Sequence, residues 1–371
     1  MRLKQLRLSN YRNYRQVELE TNHQVNIFVG PNAQGKTNLL EAILVLSLTK
    51  SHRTHKDKEL IRWEAPEAFI FGEVQKKYGD ASLSLQIGQQ GKKAKINGLE
   101  QRKLSDFIGT MNVVMFAPED LEIVKGSPGV RRRFLDMEIG QVSPAYLHDL
   151  LQYQKVLQQR NHLLKTGATP NREMLEIWNG QLSSFGVKIM RKRKNFIEKL
   201  QTIAMRIHQS ITNEQEQIRI EYNPSLPLED FTDETVLFER FMVKLSQVNE
   251  QELRRGMTLF GPHRDDLQFF INDKDALPFG SQGQQRTAAL SLKLAEIELI
   301  YEEVGEYPIL LLDDVLSELD NLRQTQLIRT FGEKVQTFIT TTGIESVDWH
   351  LLQGARMVHI RDGQLAGGIE S

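Results

Sequence analysis

Residues Gly30-Pro31-Asn32-Ala33-Gln34-Gly35-Lys36-Thr37 constrain this chain more than any other stretch, because they fit the pattern G-x-x-x-x-G-K-[ST] and their flanks fit as well. Val25, Ile27 and Val29 alternate with Asn26 and Phe28, as in a short, largely apolar strand. Leu39, Leu40, Ile43, Leu44, Leu46 and Leu48 follow at helical spacing. Strand, loop and helix in that order make a phosphate-binding loop. Its glycines let the backbone turn N–H groups inward around a phosphate chain, and the helix N-terminus adds partial positive charge. Lys36 is the residue that reaches β- and γ-phosphates, and the Thr37 hydroxyl is placed to hold Mg²⁺. A chance glycine-rich turn before a helix would have no reason to carry Lys-Thr and both flanks.

At 371 residues the chain has length for two or more domains. Its 47 Lys and Arg nearly balance 48 Asp and Glu, so no global field draws it to nucleic acid or membrane, and such binding must come from local patches. There is no cysteine, which excludes disulfides and thiolate metal sites and suits a reducing cytoplasm. The stretch Met1 to Arg7 alternates charged and apolar residues and lacks the apolar core of a signal peptide. No run reaches the apolar length needed to span a bilayer, so no membrane partner is expected.

The coarse pattern runs from sheet to helix and back. Residues 2–8 and 16–19 read as a basic hairpin, carrying Arg2, Lys4, Arg7, Arg12 and Arg15. Arg12 either joins a solvated face or leans over the nucleotide. The basic loop 50–56 either contacts phosphates or dresses a helix C-terminus. Residues 68–74, 81–87 and 92–96 alternate as strands, with Asn97-Gly98 as a hairpin turn, and Val113, Val114 and Phe116 suggest a buried strand. After Pro118 helical periodicity dominates. Leu147, Leu150, Leu157 and Leu164 fall near a heptad line, and Gly167 to Pro170 breaks it. A longer helix over about 173–212, roughly 60 Å at 1.5 Å per residue, carries Leu175, Trp178, Leu182, Phe185 and Ile189 in steps of three and four. The pair predicts a helical hairpin with a coiled-coil-like seam, interrupted by Lys192 within the basic run 188–194. That run reads as a solvated face, with a DNA or protein surface as the minority alternative. Two helical segments at 233–247 and 249–255 close the arm at Gly256. Residues 287–301 predict an amphipathic helix, Ile309 to Leu312 and Val335 to Thr340 buried strands, and Val358 to Gly363 a hairpin.

Two further stretches complete a site. Ile309 to Leu312 ends in Asp313-Asp314, and a carboxylate at the C-terminal end of a strand beside the phosphate-loop strand is where Mg²⁺ needs a second anchor. Asp313 is that candidate, and Asp314 the candidate base for the attacking water. Ser281-Gln282-Gly283-Gln284 opens a helix, either as an anion site or as a simple N-cap at Ser281. Ser317-Glu318-Leu319-Asp320 follows the carboxylates. This order resembles the ATPase heads of the ABC and SMC class, with a long helical insertion. The resemblance narrows to the RecF family of bacterial recombination-repair ATPases on four stretches: 8–14 (LSNYRNY), 118–121 (PEDL), 261–266 (GPHRDD) and 281–286 (SQGQQR).

The resemblance, which spans essentially the whole chain, implies an α/β head of ABC/SMC type, with a mixed sheet and an antiparallel lobe, plus an inserted α-helical arm. Its expected boundaries are 1–120 and 257–371 for the head and 121–256 for the arm. It further implies ATP and Mg²⁺ as cofactors, with Gly30 to Thr37 as the ATP loop and Asp313 as the Walker B carboxylate. Ser281, with Gly283 and Gln284, becomes the signature element that binds the γ-phosphate held by a second copy. The implied activity is a weak, DNA-stimulated ATPase of recombinational repair, replication-fork maintenance and the SOS response. It would form an ATP-dependent homodimer on duplex DNA and gap junctions, and load recombinase with RecO and RecR. Two departures from the wider class predict slow hydrolysis: Asp314 stands where a Glu is usual, and Thr340-Thr341-Thr342 where a histidine is expected. No aromatic stacking platform is visible in the sequence, which favours duplex or junction binding. The alternative reading is an ABC-type ATP-binding subunit that drives another partner.

Overall fold

The computed structural model describes residues 1–166, 172–226, 233–316, 324, 334–343 and 354–370. The expected break at 167–170 and the Ser317 to Asp320 stretch lie outside them. The chain divides into two compact units, one formed by Met1–Asp120 with Leu290–Ser371 and the other by Leu121–Ala289.

The first unit opens with strands β1 (Arg2–Tyr11), β2 (Tyr14–Glu20) and β3 (Val25–Val29) and helix α1 (Lys36–Leu48). Strands β4 (Glu67–Gln75), β5 (Ala81–Gly88), β6 (Gly91–Ile96), β7 (Leu99–Glu100) and β8 (Val113–Phe116) follow. An antiparallel sheet runs β2-β1-β4-β5-β6-β7. Its strands show the alternating burial of a sheet with one face packed and one solvated, Leu3, Leu6 and Leu8 inward on β1 and Ala68, Ile70 and Val74 inward on β4. Helix α1 packs against strands of this sheet and of the central one. That explains why it is buried nearly all round rather than along one stripe.

The second unit contains helices α2 (Leu121–Lys125), α3 (Pro128–Val142), α4 (Pro144–Thr166) and α5 (Arg172–Ile211). It continues with β9 (Ile218–Asn223), α6 (Glu234–Arg255), β10 (Asp266–Ile271), β11 (Lys274–Asp275) and the short α7 (Ala276–Phe279). The expected boundary at 256 moves to 289. The reason is pairing: β10 is antiparallel to β9 over Asp266 to Ile271, which ties residues 257–289 to the helices. The two segments expected at 233–247 and 249–255 are one helix. The Asp233 carboxylate caps its start by accepting from the N–H groups of Thr235 and Val236, and Gly256, at φ 64°, ends it.

The seam of the helical hairpin also differs from the leucine line. On α4 the buried positions are Tyr146, Leu150, Tyr153, Val156, Arg160 and Leu164. On α5 Lys192 is exposed, and Arg193, 1% exposed, is the charge inside the seam. Arg193 donates to the Tyr146 hydroxyl (3.0 Å), the Pro262 carbonyl (2.7 Å), Asp265 (3.3 Å) and Asp136 (2.8 Å). Asp265 also accepts from the Tyr222 hydroxyl and the Ser225 N–H. Arg131 grips both oxygens of Asp266 (2.6 and 3.0 Å). Thus the stretch 261–266 is the polar heart of the helical unit. Gly261 is required there: it sits at φ 120°, and a Cβ would come within 2.4 Å of the Tyr153 hydroxyl.

Helix α8 (Gln282–Val304) leads to β12 (Ile309–Asp313), β13 (Thr337–Thr341), β14 (Arg356–Arg361) and β15 (Gln364–Glu370). From Thr287 to Ile300 α8 is buried on most sides rather than amphipathic. The central sheet runs β15-β14-β3-β13-β12-β8, parallel from β14 to β8 with β15 antiparallel at the edge. The strand that ends in Asp313 is therefore not beside the phosphate-loop strand. β13 lies between them, pairing Thr341 with Val29 on one side and Thr340 with Asp313 on the other.

Candidate nucleotide site

The loop from Gly30 to Thr37 leaves the C-terminal end of β3 and feeds the first turn of α1. Ala33 (φ 64°) and Gly35 (φ 114°) take left-handed conformations. Gly35 has no alternative, since a Cβ would stand 2.6 Å from Asn13 Nδ2 and 2.8 Å from the Tyr14 hydroxyl. Those neighbours form a clamp. Asn13 Nδ2 donates to the Gln34 carbonyl (3.0 Å) and the Tyr14 hydroxyl to the Gly35 carbonyl (2.9 Å). On the other side the β14–β15 turn holds Gln34, with the Asp362 N–H donating to its side chain (2.6 Å) and the Gly363 N–H to its carbonyl (3.1 Å). The loop is shaped by two hairpin turns before any ligand arrives, which is the preorganisation an anion site requires.

Lys36 folds back over the loop and donates to the carbonyls of Gly30 (2.6 Å) and Pro31 (2.8 Å). An ammonium has three donors, so one remains for a phosphate oxygen. Burial lowers its pKa, against the opposing pull of Asp314 and Asp313. Thr37 Oγ1 donates to Asp313 Oδ1 at 3.0 Å. The intervening strand contributes Thr340, whose hydroxyl donates to the same oxygen at 2.7 Å and accepts the Asp314 N–H at 2.9 Å. Asp314 itself is at φ 53°, a conformation an aspartate tolerates but a β-branched residue would not. Thr37 and Asp313 thus place two hard oxygen donors together. Mg²⁺ is ordinarily held by one or two carboxylates plus substrate phosphates and water, so this sparse donor set fits it.

Arg12 lies neither on a solvated face nor free to lean over a ligand. It makes a two-pronged pair with Glu41 (2.7 and 2.6 Å) and donates to the Glu59 carbonyl. Glu41 is fully buried within α1. Burial pushes its carboxyl up, but hydrogen bonds from Arg12 and Ser51 bring it below the usual range. The basic loop is likewise partly committed: Arg53 donates to Asn38, and burial lowers the pKa of His52, leaving it neutral near pH 7.

Ser281 and Gln284 form a reciprocal cap at the start of α8. The Ser281 hydroxyl accepts the Gln284 N–H (3.2 Å), and the Gln284 side chain accepts the Ser281 N–H (3.0 Å). Gln285 reaches back to the Ala276 carbonyl (2.8 Å) and fixes this turn to α7. Gly283, one residue before Gln284, lies exposed in the first turn. Sequence reasoning missed the clamp residues Asn13 and Tyr14, the Arg12–Glu41 pair and Thr340. A lone Glu within the apolar run of α1 was the available signal for the pair.

The model of the RecF/RecN/SMC N terminal domain family matches residues 2–358. The DNA replication and repair protein RecF of Exiguobacterium sp. (strain ATCC BAA-1283 / AT1b) is 55% identical over 98% of this chain and 99% of its own length. The chain belongs to the RecF family. A structure of the recombination mediator protein RecF-ATP in the RecFOR pathway superposes on this family member with a TM-score of 0.92 at 36% identity, covering 98% of this chain and 96% of the other. The Smc head domain of Pyrococcus furiosus shares the fold, with a TM-score of 0.53 at 14% identity over 99% and 96% of the two chains. The RecF and SMC likeness establishes an SMC-type ATPase head with mixed α/β sheets. Among the described residues, no helix of this RecF-family chain is long and apolar enough to cross a membrane.

Proposed function

We propose that this chain binds ATP with Mg²⁺, closes into a homodimer on it, hydrolyses it slowly, and uses the cycle to hold DNA at gaps and single-strand–duplex junctions. In this reading it acts with RecO and RecR to load recombinase. The observation that carries the proposal is the 3.0 Å bond between Thr37 and Asp313, which joins the phosphate loop to the carboxylate of a separate strand. The RecF structure described with ATP supports the ligand.

The loop N–H groups and the remaining Lys36 proton bind the phosphates. Thr37 and Asp313 would hold Mg²⁺, which neutralises charge on the β- and γ-oxygens. Asp314 orients the attacking water and accepts its proton. Its side chain is one carbon shorter than the usual glutamate, which argues for slow turnover and for hydrolysis as a release timer. Ser281 and the Gly283 N–H, with Gln284 shaping the turn, reach the γ-phosphate of a second copy. In the monomer, the Ser281 hydroxyl accepts a backbone N–H and so remains able to donate.

Light scattering with ATP and Mg²⁺ tests the central step. Wild type is expected to double in mass and Ser281→Ala to stay monomeric while still binding nucleotide. A wild type that remains monomeric with ATP bound would end the sandwich reading.

DNA contact without net positive charge requires local cations. Arg131, Arg132 and Arg193 are engaged by carboxylates or carbonyls, and Arg191 and Lys194 by Glu234 and Glu198. Lys50, Lys188 and Lys192 remain the stronger candidates. With about four phosphate contacts, affinity should fall about 10²-fold between ~50 and ~200 mM salt. A titration showing no change over that range would remove these cations from the interface.

A further inference from the structure

The first unit carries an open aromatic side chain that the nucleotide site does not use. Trp63 is 87% exposed. It stands on the turn from Arg62 to Ala65, closed by the Ala65 N–H on the Arg62 carbonyl (3.0 Å) and containing Glu64 at φ 65°. The turn is fixed at its base. The Arg62 N–H donates to the Asn10 carbonyl (2.8 Å), and Ile61 bridges to Tyr11. Beside the indole lies a cavity of about 330 Å³ lined by Lys58, Ile61, Arg62, Trp63, Pro66 and Gln89.

We propose that Trp63 with Lys58 and Arg62 is a single-strand site, on which an unpaired base at a gap stacks while the two cations hold its flanking phosphates. This rests on the DNA-binding reading above and gives it a strand preference. The chemistry favours a nucleobase over a protein side chain. The exposed residues beside the indole are Lys58, Arg62, Glu64 and Gln89 with a single apolar one, Pro66, so a buried hydrophobic seat is not formed. Two cations face one carboxylate, Glu64. Among the described residues neither Lys58 nor Arg62 is in an ion pair, whereas nearby Lys56 and Lys92 are paired with Glu59 and Asp57. A flat π-face with flanking cations is the combination that binds single strands with little sequence preference. The indole is held out by a hydrogen-bonded turn, so little ordering opposes stacking.

Labelled gapped duplex and uninterrupted duplex of equal length, titrated with the full chain in ATP and Mg²⁺, test the site. Trp63→Ala is expected to weaken gapped DNA about tenfold and to leave duplex affinity unchanged, and Trp63→Phe to recover most of the loss. Unchanged gapped affinity in Trp63→Ala overturns the site and leaves the patch to a protein partner. Equal loss on both DNAs also overturns it. If wild type binds neither DNA, the underlying function fails first. The side chain is exposed, so both variants should melt with the wild type.

Discussion

Asp313→Ala should reduce ATP hydrolysis by about 10²–10³-fold, the range seen when one preorganised charge-stabilising group is removed from a reaction centre. Three features make the loss large. Asp313 is tied directly to the phosphate loop, accepting from the Thr37 hydroxyl at 3.0 Å. It is buried, so solvent cannot replace it efficiently. Its Oδ1 also organises Thr340, which in turn holds the Asp314 N–H. Alanine therefore removes a metal anchor and loosens the candidate base in one step. The structural part of the effect can be separated. Asp313→Asn keeps an acceptor for both hydroxyls, so its stability should stay near wild type, whereas alanine leaves the buried Thr340 hydroxyl and the half-buried Thr37 hydroxyl without that acceptor, the buried one costing about 1–3 kcal/mol. If the charge is what matters, Asn should be nearly as inactive as Ala. Phosphate release measured across a Mg²⁺ titration decides the matter. Either variant within tenfold of wild type at saturating metal would remove Asp313 from the reaction.

What the sequence made legible here was local. The phosphate loop, the Asn97-Gly98 turn and the long α5 each follow from spacing within a few turns or strands of chain. The order of the central sheet did not, because β3 lies about 300 residues before β12 and β13, and nothing in their composition says which lies in the middle. For that reason Thr340 was read only as a missing histidine, when its hydroxyl is the bridge between the two aspartates. Burial of charge was equally hidden. Arg12, Arg131 and Arg193 look like surface cations in the sequence, and each is held by a carboxylate that lies far along the chain or on another element. The leucine line of α4 misled for a related reason: tyrosines and an arginine can fill a seam when their polar ends find partners, as Arg160 does with Glu252 and Thr258. The opposite error concerned Trp63, an aromatic residue whose exposure only the fold reveals.

Arg193→Met tests that buried network, and a loss of about 3–5 kcal/mol is expected from the helical unit. Methionine matches much of the aliphatic stem but supplies no donor. Asp136 loses a 2.8 Å bond, the Pro262 carbonyl a 2.7 Å bond, and the Tyr146 hydroxyl its cationic neighbour. Asp265 keeps the Tyr222 hydroxyl and the Ser225 N–H but loses the opposing charge, so it remains a carboxylate in a dry interior. The penalty arises from those stranded acceptors more than from the bond energies themselves. Lys192→Met is the internal control: that side chain is exposed one residue away, and its replacement should change stability by no more than about 0.5 kcal/mol. Because the chain has two compact units, urea unfolding followed by far-ultraviolet circular dichroism should show the helix-rich transition moving to lower denaturant rather than a uniform shift. Equal midpoints for the two variants would mean that the seam tolerates an uncompensated carboxylate, and that the stretch from Gly261 to Asp266 is not what holds the helical unit together.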